Sequence, residues 1–190
     1  LNEKLHRVFV TLERAVAQGK LRYYGISTFD GFRVETDNAL FQSLTSLLGL
    51  AEKAAREVSA DAFAKHHFML AQLPFNQVMP EGFTRFNQAT GHGNVASTLQ
   101  AAFQLKVYAM ASHTLHKGRL ADQCVDGVLQ ALPQMRNHTQ RTLQFNRSTP
   151  GLGTSLVGIS APAHLDDLLD VSRCAPMERA QYLALYQKAR

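Results

Sequence analysis

Hydroxyl and amide side chains follow several short apolar segments of this 190-residue sequence, at points where strands are expected to end. Ser27 and Thr28 come after one such segment. Gln72 ends the next, and Ser160 follows the last. A hydroxyl and a carboxamide each donate and accept hydrogen bonds, so together they could orient a planar polar ligand. The structural alternatives are a cap or turn hydroxyl for Ser27 and an amide bonded to nearby backbone for Gln72.

A second chemical signal is the segment Gly158-Ile159-Ser160, which precedes a predicted helix with Pro162 in its first turn. Proline is well suited to the first turn of a helix. A helix N-terminus offers free N–H groups and a partial positive charge, and it therefore favours phosphate. The sequence predicts an anion site in this loop.

Helices and short strands alternate along the chain and must position these groups. Strands are predicted at 20–26, 68–73, 105–110 and 155–158. Helices are predicted at 5–16, from Thr36 or Asp37 to about residue 55, and at 95–103, 121–132, 139–147, 162–169 and 176–188, with an irregular loop at 80–93. This α/β alternation indicates parallel β-α units, and near-continuous apolar strands indicate a sheet covered on both faces. Four such units fit a small open sheet or half of an eight-stranded barrel.

Composition limits the classes of function. The chain is 45% hydrophobic and 18% charged, which is typical of one globular domain. The net charge of +5 suits anionic ligands, but the basic residues are scattered, so nucleic-acid binding is not expected. No apolar run approaches the roughly 20 residues of a membrane helix, so no membrane partner is expected.

Cysteine and histidine usage indicates neither a disulfide framework nor a metal site. Cys124 and Cys174 stand alone, as expected of reduced thiols in a cytoplasmic protein. His66 and His67 are adjacent, so on a strand they would point to opposite faces. The chain starts at Leu1 rather than Met, and we expect it to have been processed or cut from a longer protein, which could carry an organelle transit peptide.

Four segments resemble the aldo-keto reductase family, and they occur in the family's order. They are TLERAVAQGKLRYYGISTF at 11–29, AQLPFN at 71–76, LQFNRSTPGLGTSLVGIS at 143–160 and AHLDDLL at 163–169. The resemblance implies a (β/α)8 TIM barrel in which function lies at the carboxyl ends of the strands. Residues 1–190 would be the C-terminal half of an NADP-dependent oxidoreductase barrel, a partial barrel of about four parallel β-α units corresponding to strands 5–8.

The resemblance also implies a nicotinamide cofactor, NADP with NAD as the alternative, and a small-molecule carbonyl substrate. Ser27 and Gln72 would hold the nicotinamide carboxamide. Thr28 stands where the family has Asn, and it offers a hydroxyl but no amide. Ser112 stands where many members stack an aromatic ring on the nicotinamide, and His113 beside it could substitute.

For the adenosine half of the cofactor, the resemblance implies the loop Gly158, Ile159 and Ser160. His164 occupies the position of an Arg that holds the 2′-phosphate in NADPH-preferring relatives, which leaves the choice between NADPH and NADH open. Asp167 matches an acidic position that contacts adenine, and its structural alternative is a solvated helix carboxylate.

The groups that perform the reduction are expected elsewhere. The family uses a Tyr, a Lys–Asp pair and a His from its first four β-α units, so no catalytic residue is assigned here. Lys20, Tyr23, Tyr24 and Asp30 offer the same residue types, but packing and solvated charge explain them better. The loop predicted at 80–93 would form one wall of the substrate pocket. Its Phe83 and Phe86 could contact an apolar substrate, although packing of these rings beneath the loop is favoured.

Two functions follow from the resemblance. The chain is the C-terminal portion of an aldo-keto reductase that is active only with its missing N-terminal half-barrel, or it is a non-catalytic nucleotide-binding or oligomerisation module. A half-barrel leaves strand edges unpaired and one wall of its interior absent. We therefore expect the isolated chain to associate or to pack loosely, rather than to melt cooperatively as a monomer.

Overall fold

The computed structural model describes residues 1–90 and 93–187. Its centre is a parallel sheet of four strands in the order β1-β2-β5-β6. These strands are β1 (Tyr24–Ser27), β2 (Phe68–Pro74), β5 (Tyr108–Ser112) and β6 (Leu152–Ser155). The predicted α/β class and the four parallel units are confirmed.

Helices connect the strands and pack behind the sheet. They are α1 (Asn2–Ala17), α2 (Leu44–Ser59), α3 (Glu81–Thr84), α4 (Thr98–Gln104), α5 (Arg119–Asp122), α6 (Asp126–Ala131), α7 (His138–Arg147), α8 (Pro162–Arg173) and α9 (Arg179–Ala184). A short 3₁₀ turn, His116–Gly118, precedes α5. None of the described helices has the length and apolarity needed to cross a lipid bilayer.

The two faces of the sheet differ in how well they are covered, and we call them the covered face and the open face. On the covered face, Phe68 is fully buried, with its ring 5.5 Å from that of Phe9 in α1. Ala109 and Ala111 are also buried there, at 1% and 0% exposure. Side chains alternate between faces along a strand. Tyr108 therefore lies on the open face, where it is 46% exposed. The sequence predicted a sheet covered on both faces, but in the structure only one face is covered.

The second helix begins later than the sequence predicted. Ser43, rather than Thr36 or Asp37, caps α2, because its hydroxyl accepts a hydrogen bond from Ser46 N–H at 3.3 Å. Residues 35–42 form turns instead, and Leu40, inside the predicted helix, is 57% exposed.

Three strands are also shifted from their predicted positions. The first starts at Tyr24, where pairing with Phe68 begins, so 20–23 precede the strand. The third starts at Tyr108 rather than at residue 105, because Lys106 has a positive φ of 59° that ends α4 in a turn. The fourth runs over 152–155 instead of 155–158. Gly153 lies inside it, where an added Cβ would sit 2.3 Å from the Tyr108 ring, so this glycine permits close packing rather than a turn.

The predicted loop at 80–93 contains regular structure over its described residues. Residues 81–84 form α3, and β3 (Phe86–Ala89) pairs antiparallel with β4 (Val95–Ser97), so the helix predicted at 95–103 begins only at residue 98. Residues 91 and 92 of that loop lie outside the described residues. The hairpin is anchored by a polar contact, since the Gln88 side-chain oxygen accepts from Leu44 N–H at 2.9 Å.

Two helices in the C-terminal part of the chain are shorter than predicted. The 121–132 prediction is met by 126–131 and by the end of α5 at 121–122, and the 176–188 prediction by 179–184, with residue 188 outside the described residues. Pro162 occupies the first turn of α8 as predicted. Of the leucines of α8, Leu168 packs against the core, whereas Leu165 and Leu169 are 45% and 43% exposed.

Candidate functional site

The carboxyl ends of the four parallel strands, with the loops that follow them, form one edge of the sheet, which we call the carboxyl rim. At this rim Ser27 and Gln72 are direct partners in the β1–β2 register. The next residue along, Thr28, donates its backbone N–H to the Gln72 carbonyl at 3.1 Å. The structure therefore brings together the two groups predicted to hold a carboxamide.

The side chains of this pair are available for a ligand, whereas that of Thr28 is engaged. Neither the Ser27 hydroxyl nor the Gln72 amide bonds to another described residue, and Gln72 is only partly buried. The Thr28 hydroxyl accepts from Gly31 N–H at 2.9 Å and so stabilises the turn after β1. A polar group that is partly buried and unbonded is a good ligand donor or acceptor.

The loop after β5 is held against the loop after β2. Phe75 N–H donates to the Ser112 carbonyl at 3.0 Å, and the Asn76 amide donates to the His113 carbonyl at 2.8 Å. His113 has a positive φ of 57° and its ring meets Phe29 edge-on, with ring centroids 5.1 Å apart. The Phe29–His113 pair therefore joins the loops after β1 and β5.

A cavity of about 430 Å³ lies between the loops after β5 and β6. Thr114 is 2% exposed, and its hydroxyl has no partner among the described residues. Two histidines, His113 and His164, and the exposed Lys117 supply potential positive charge. Gly158, Ser160 and Leu168 complete much of the lining. A buried, unbonded hydroxyl beside basic groups is a suitable setting for an anion.

The start of α8 adds donors to this cavity. No side chain caps the helix, and its N-cap is Ala161, so its first N–H groups have no side-chain partner. The Ser160 hydroxyl lies 3.4 Å from Nδ1 of His164. Ile159 is 50% exposed in the same loop. The structure therefore groups Gly158, Ser160 and His164 as the sequence predicted, with Thr114 and Lys117 added.

Asp167 is used inside the protein. Its Oδ1 accepts hydrogen bonds from the Asn137 amide at 2.8 Å and the Gln140 amide at 3.1 Å, and it thereby joins α7 to α8. The carboxylate is partly buried. Its predicted contact with adenine stays a prediction, and any such contact would use the other oxygen.

Ser27 and Ser160 line different cavities of the same rim. A second cavity of about 370 Å³ contains Ser27 and Thr28, together with Leu1 and Leu5 of α1. Phe29 lines this second cavity, while its partner His113 lines the first. The edge-on ring pair thus lies between the two recesses, and a ligand touching both would have to pass over it.

None of the five tyrosines, all of them described, lies at the carboxyl rim. Tyr24 donates its hydroxyl to Glu13 at 2.9 Å behind the sheet, and burial raises its pKa. Tyr182 is fully buried, and burial raises its pKa as well as that of Tyr186, the latter to about 12. Tyr23 lies at the opposite end of β1, and Tyr108 at the amino end of β5.

Metal ligands are not clustered in the described part of the chain, where no three His, Cys, Asp or Glu side chains come together to hold an ion. His67 instead bonds Glu13, with Nδ1 2.7 Å from the carboxylate Oε2. Thr114 and Lys117 were not predicted as site residues, although they follow the predicted Ser112 and His113. The available signal was a hydroxyl and a lysine within five residues of a strand's carboxyl end.

No family model and no curated protein matches this chain. Solved structures do. A thermostable aldo-keto reductase in complex with the inhibitor epalrestat superposes with a TM-score of 0.59 at 14% identity, over 95% of this chain and 53% of that chain. The chain has the fold of half an aldo-keto reductase barrel.

Two other reductases match the half-barrel over similar lengths. An aldo-keto reductase from Bacillus halodurans, in its holo form, gives a TM-score of 0.56 at 14% identity over 93% of this chain and 54% of that chain. A protein provisionally named 2,5-diketo-D-gluconic acid reductase B gives a TM-score of 0.59 at 15% identity over 98% of this chain and 52% of that chain. The half-barrel thus spans about half the length of these structures, and the resemblance stated from sequence agrees with them.

Proposed function

We propose that the carboxyl rim binds a nicotinamide dinucleotide, and that residues 1–190 act as the C-terminal half of an NAD(P)H-dependent aldo-keto reductase that reduces aldehydes or ketones. One observation carries this proposal. The Ser27–Gln72 pair and the 430 Å³ cavity, suited to an amide and to phosphate respectively, lie on the same rim of one parallel sheet.

The Ser27–Gln72 pair matches a nicotinamide carboxamide in donor and acceptor count. The carboxamide has one carbonyl acceptor and two N–H donors, and a hydroxyl with a side-chain amide can satisfy both kinds. Because the two residues are register partners, they would reach the same ligand group and fix which ring face is presented to substrate.

The larger cavity matches the phosphate portion. The uncapped start of α8 offers N–H groups and a partial positive charge, and Lys117 and His164 flank it. The orphaned Thr114 hydroxyl would gain a partner on phosphate binding. Because His164 lacks the two-pronged guanidinium of Arg, we expect little discrimination between NADPH and NADH.

When bound, the cofactor would supply hydride to a carbonyl carbon, and the residues described here would orient it. Protonation of the carbonyl oxygen needs an acid at the same rim. No described tyrosine lies there, and Lys20, Tyr23 and Tyr24 lie at or near the opposite end of β1 from Asp30. We therefore assign the acid to a partner segment, the N-terminal half-barrel.

Isothermal titration calorimetry of the chain with NADPH and with NADH tests cofactor binding. Gln72→Ala should weaken both cofactors about fivefold, because one hydrogen-bonding group is lost. Gln130→Ala, at an exposed position of α6, is the matched control and should leave binding unchanged. Equal effects of the two substitutions, or no saturable binding of either cofactor, would contradict the proposal.

Mixing the chain with the N-terminal half of an aldo-keto reductase barrel tests the reaction. With an aldehyde present, NADPH absorbance should fall only in the mixture. A folded mixture that binds NADPH without oxidising it would instead favour the second function, a non-catalytic nucleotide-binding module. The observation that favours this alternative is that no described tyrosine lies at the carboxyl rim.

A further inference from the structure

The opposite edge of the sheet, which we call the amino rim, is formed by the loops that precede the strands, at 18–23, 60–67 and 105–107. The first two loops lie side by side, because Tyr24 N–H donates to the His67 carbonyl at 3.0 Å. The second and third share a cavity of about 510 Å³. This edge is remote from the carboxyl rim along every strand, so the proposed cofactor site does not explain its composition.

The amino-rim cavity is rich in basic groups. Lys65, Lys106, Arg56 and His66 line it, and Nδ1 of His66 is buried without a partner among the described residues. Glu52 also lines the cavity, but its carboxylate lies 3.5 Å from the guanidinium of Arg56. The lysines are therefore the uncompensated charges of this recess.

Most of the basic side chains at the amino rim are unpaired within the described residues. In the described part of the chain, Lys20, Arg22, Lys65 and Lys106 take part in no salt bridge. Elsewhere in the described chain some arginines are paired, as Arg33 with Glu81, and others, such as Arg7 and Arg119, are in no salt bridge. Two carboxylates lie near this rim: Asp61 accepts from Phe63 N–H at 2.9 Å outside the cavity lining, and Glu13 bonds His67.

Two aromatic rings stand among these cations. Phe63, which lines the cavity, is 89% exposed, and Tyr23 in the neighbouring loop is 58% exposed. Neither ring contributes much to the core. Unpaired cations beside exposed rings form the combination that holds phosphates and stacks bases in proteins that bind single-stranded nucleic acid.

We propose that the amino rim binds single-stranded nucleic acid, with Phe63 stacking on a base and Lys65 and Lys106 contacting phosphates. Lys65 and Lys106 line a recess, which a flexible nucleic-acid strand can enter. A flat anionic lipid surface would instead contact side chains that project from the protein. The sequence did not indicate this site because Lys20, Lys65 and Lys106 are each more than 40 residues apart along the chain. Only the fold gathers them at one edge.

Fluorescence anisotropy of a labelled single-stranded RNA oligonucleotide, titrated with the full chain at several salt concentrations, tests this proposal. We expect saturable binding that weakens with salt. The double variant Lys65→Gln/Lys106→Gln should lower the slope of log affinity against log salt by about 1.4, at about 0.7 per phosphate contact on a single strand. Phe63→Ala should weaken binding about tenfold, because stacking is lost.

A matched control changes the same charge at the other end of the molecule. Lys4→Gln/Arg7→Gln alters two exposed residues of the first turns of α1, near the carboxyl rim, and should leave the slope within error. Equal loss in both double variants, no saturable binding, or anionic vesicles displacing the RNA would overturn the proposal. Circular dichroism spectra that match between variants exclude unfolding as the cause of any loss.

Discussion

The two faces of the four-stranded sheet use the same strands in opposite ways. On the covered face, Phe68, Ala109 and Ala111 are at most 1% exposed and pack against helices. On the open face, Tyr108 is 46% exposed and Met110 is only partly buried. Alternation along each strand thus divides one sheet into a finished core and an unfinished interior.

This difference teaches where stability and function reside in a half-barrel. The covered face includes the close aromatic group of Phe9, Tyr24 and Phe68, with centroids 5.3 to 5.8 Å apart. The open face carries the ligand-binding candidates at its carboxyl end. Folding should therefore depend on the first face and association on the second.

The largest effect is expected from truncating the covered face. Phe68→Ala should lower the free energy of unfolding by about 3–5 kcal/mol, because it leaves a cavity in a fully packed site. Tyr108→Ala, on the open face, should cost less than about 1 kcal/mol. Urea unfolding followed by circular dichroism measures both, and similar losses would show that the open face is packed in solution.

An intermediate effect is expected from alkaline pH, through Tyr186, whose ring lies against those of Phe83 and Tyr182. Burial raises the pKa of Tyr186 to about 12 from 10.0. The unfolded chain therefore loses this proton first, so full stability is kept below pH 10 and falls as pH rises to 12, by on the order of 2 kcal/mol.

Phenolate absorbance and circular dichroism, recorded together during an alkaline titration, check this expectation. The part of the absorbance change that comes from the buried tyrosines should occur together with the circular dichroism change above pH 10, and Tyr186→Phe should make the stability less steep in that range. A circular dichroism spectrum that stays constant while every tyrosine ionises near pH 10 would show that these rings are accessible.

The smallest effect on stability, but a clear one on association, is expected on the open face. Wild-type chain should self-associate at micromolar concentration, and Met110→Lys should shift it toward monomer while changing unfolding by about 0.5 kcal/mol or less, since a lysine stem can lie along apolar surface. Val8→Lys, at a 51% exposed position of α1, is the matched control. Sedimentation velocity measures both, and a monomeric wild type would refute the expectation.

Sequence patterns predicted the order of elements because that order follows from apolar spacing. They placed boundaries less well, for reasons visible at single residues. Lys106 adopts a left-handed conformation that apolar periodicity does not report, and Gly153 lies inside β6 beneath Tyr108, although glycine is more typical of turns. Asn87 and Gln88 were interpreted as loop residues, yet both are buried and bond neighbouring backbone.

The candidate site was predictable where it follows strand ends and unpredictable where it depends on contacts between loops. Ser27 and Gln72 needed only the strand order to become neighbours. The engagement of Asp167 by Asn137 and Gln140 depends on how α7 meets α8, about 30 residues apart in sequence, and no local pattern encodes it.

The two outer strands of the sheet have a geometric consequence for assembly. Within the described chain, β1 and β6 have one neighbour each, and they are different edges of the same parallel sheet. When one copy pairs its β1 with another copy's β6, the resulting dimer still has one unpaired β1 edge and one unpaired β6 edge. Further copies can therefore add until the curvature of the sheet brings the last edge onto the first. The curvature of the four-stranded sheet therefore determines whether such an assembly closes into a ring or grows into an open filament.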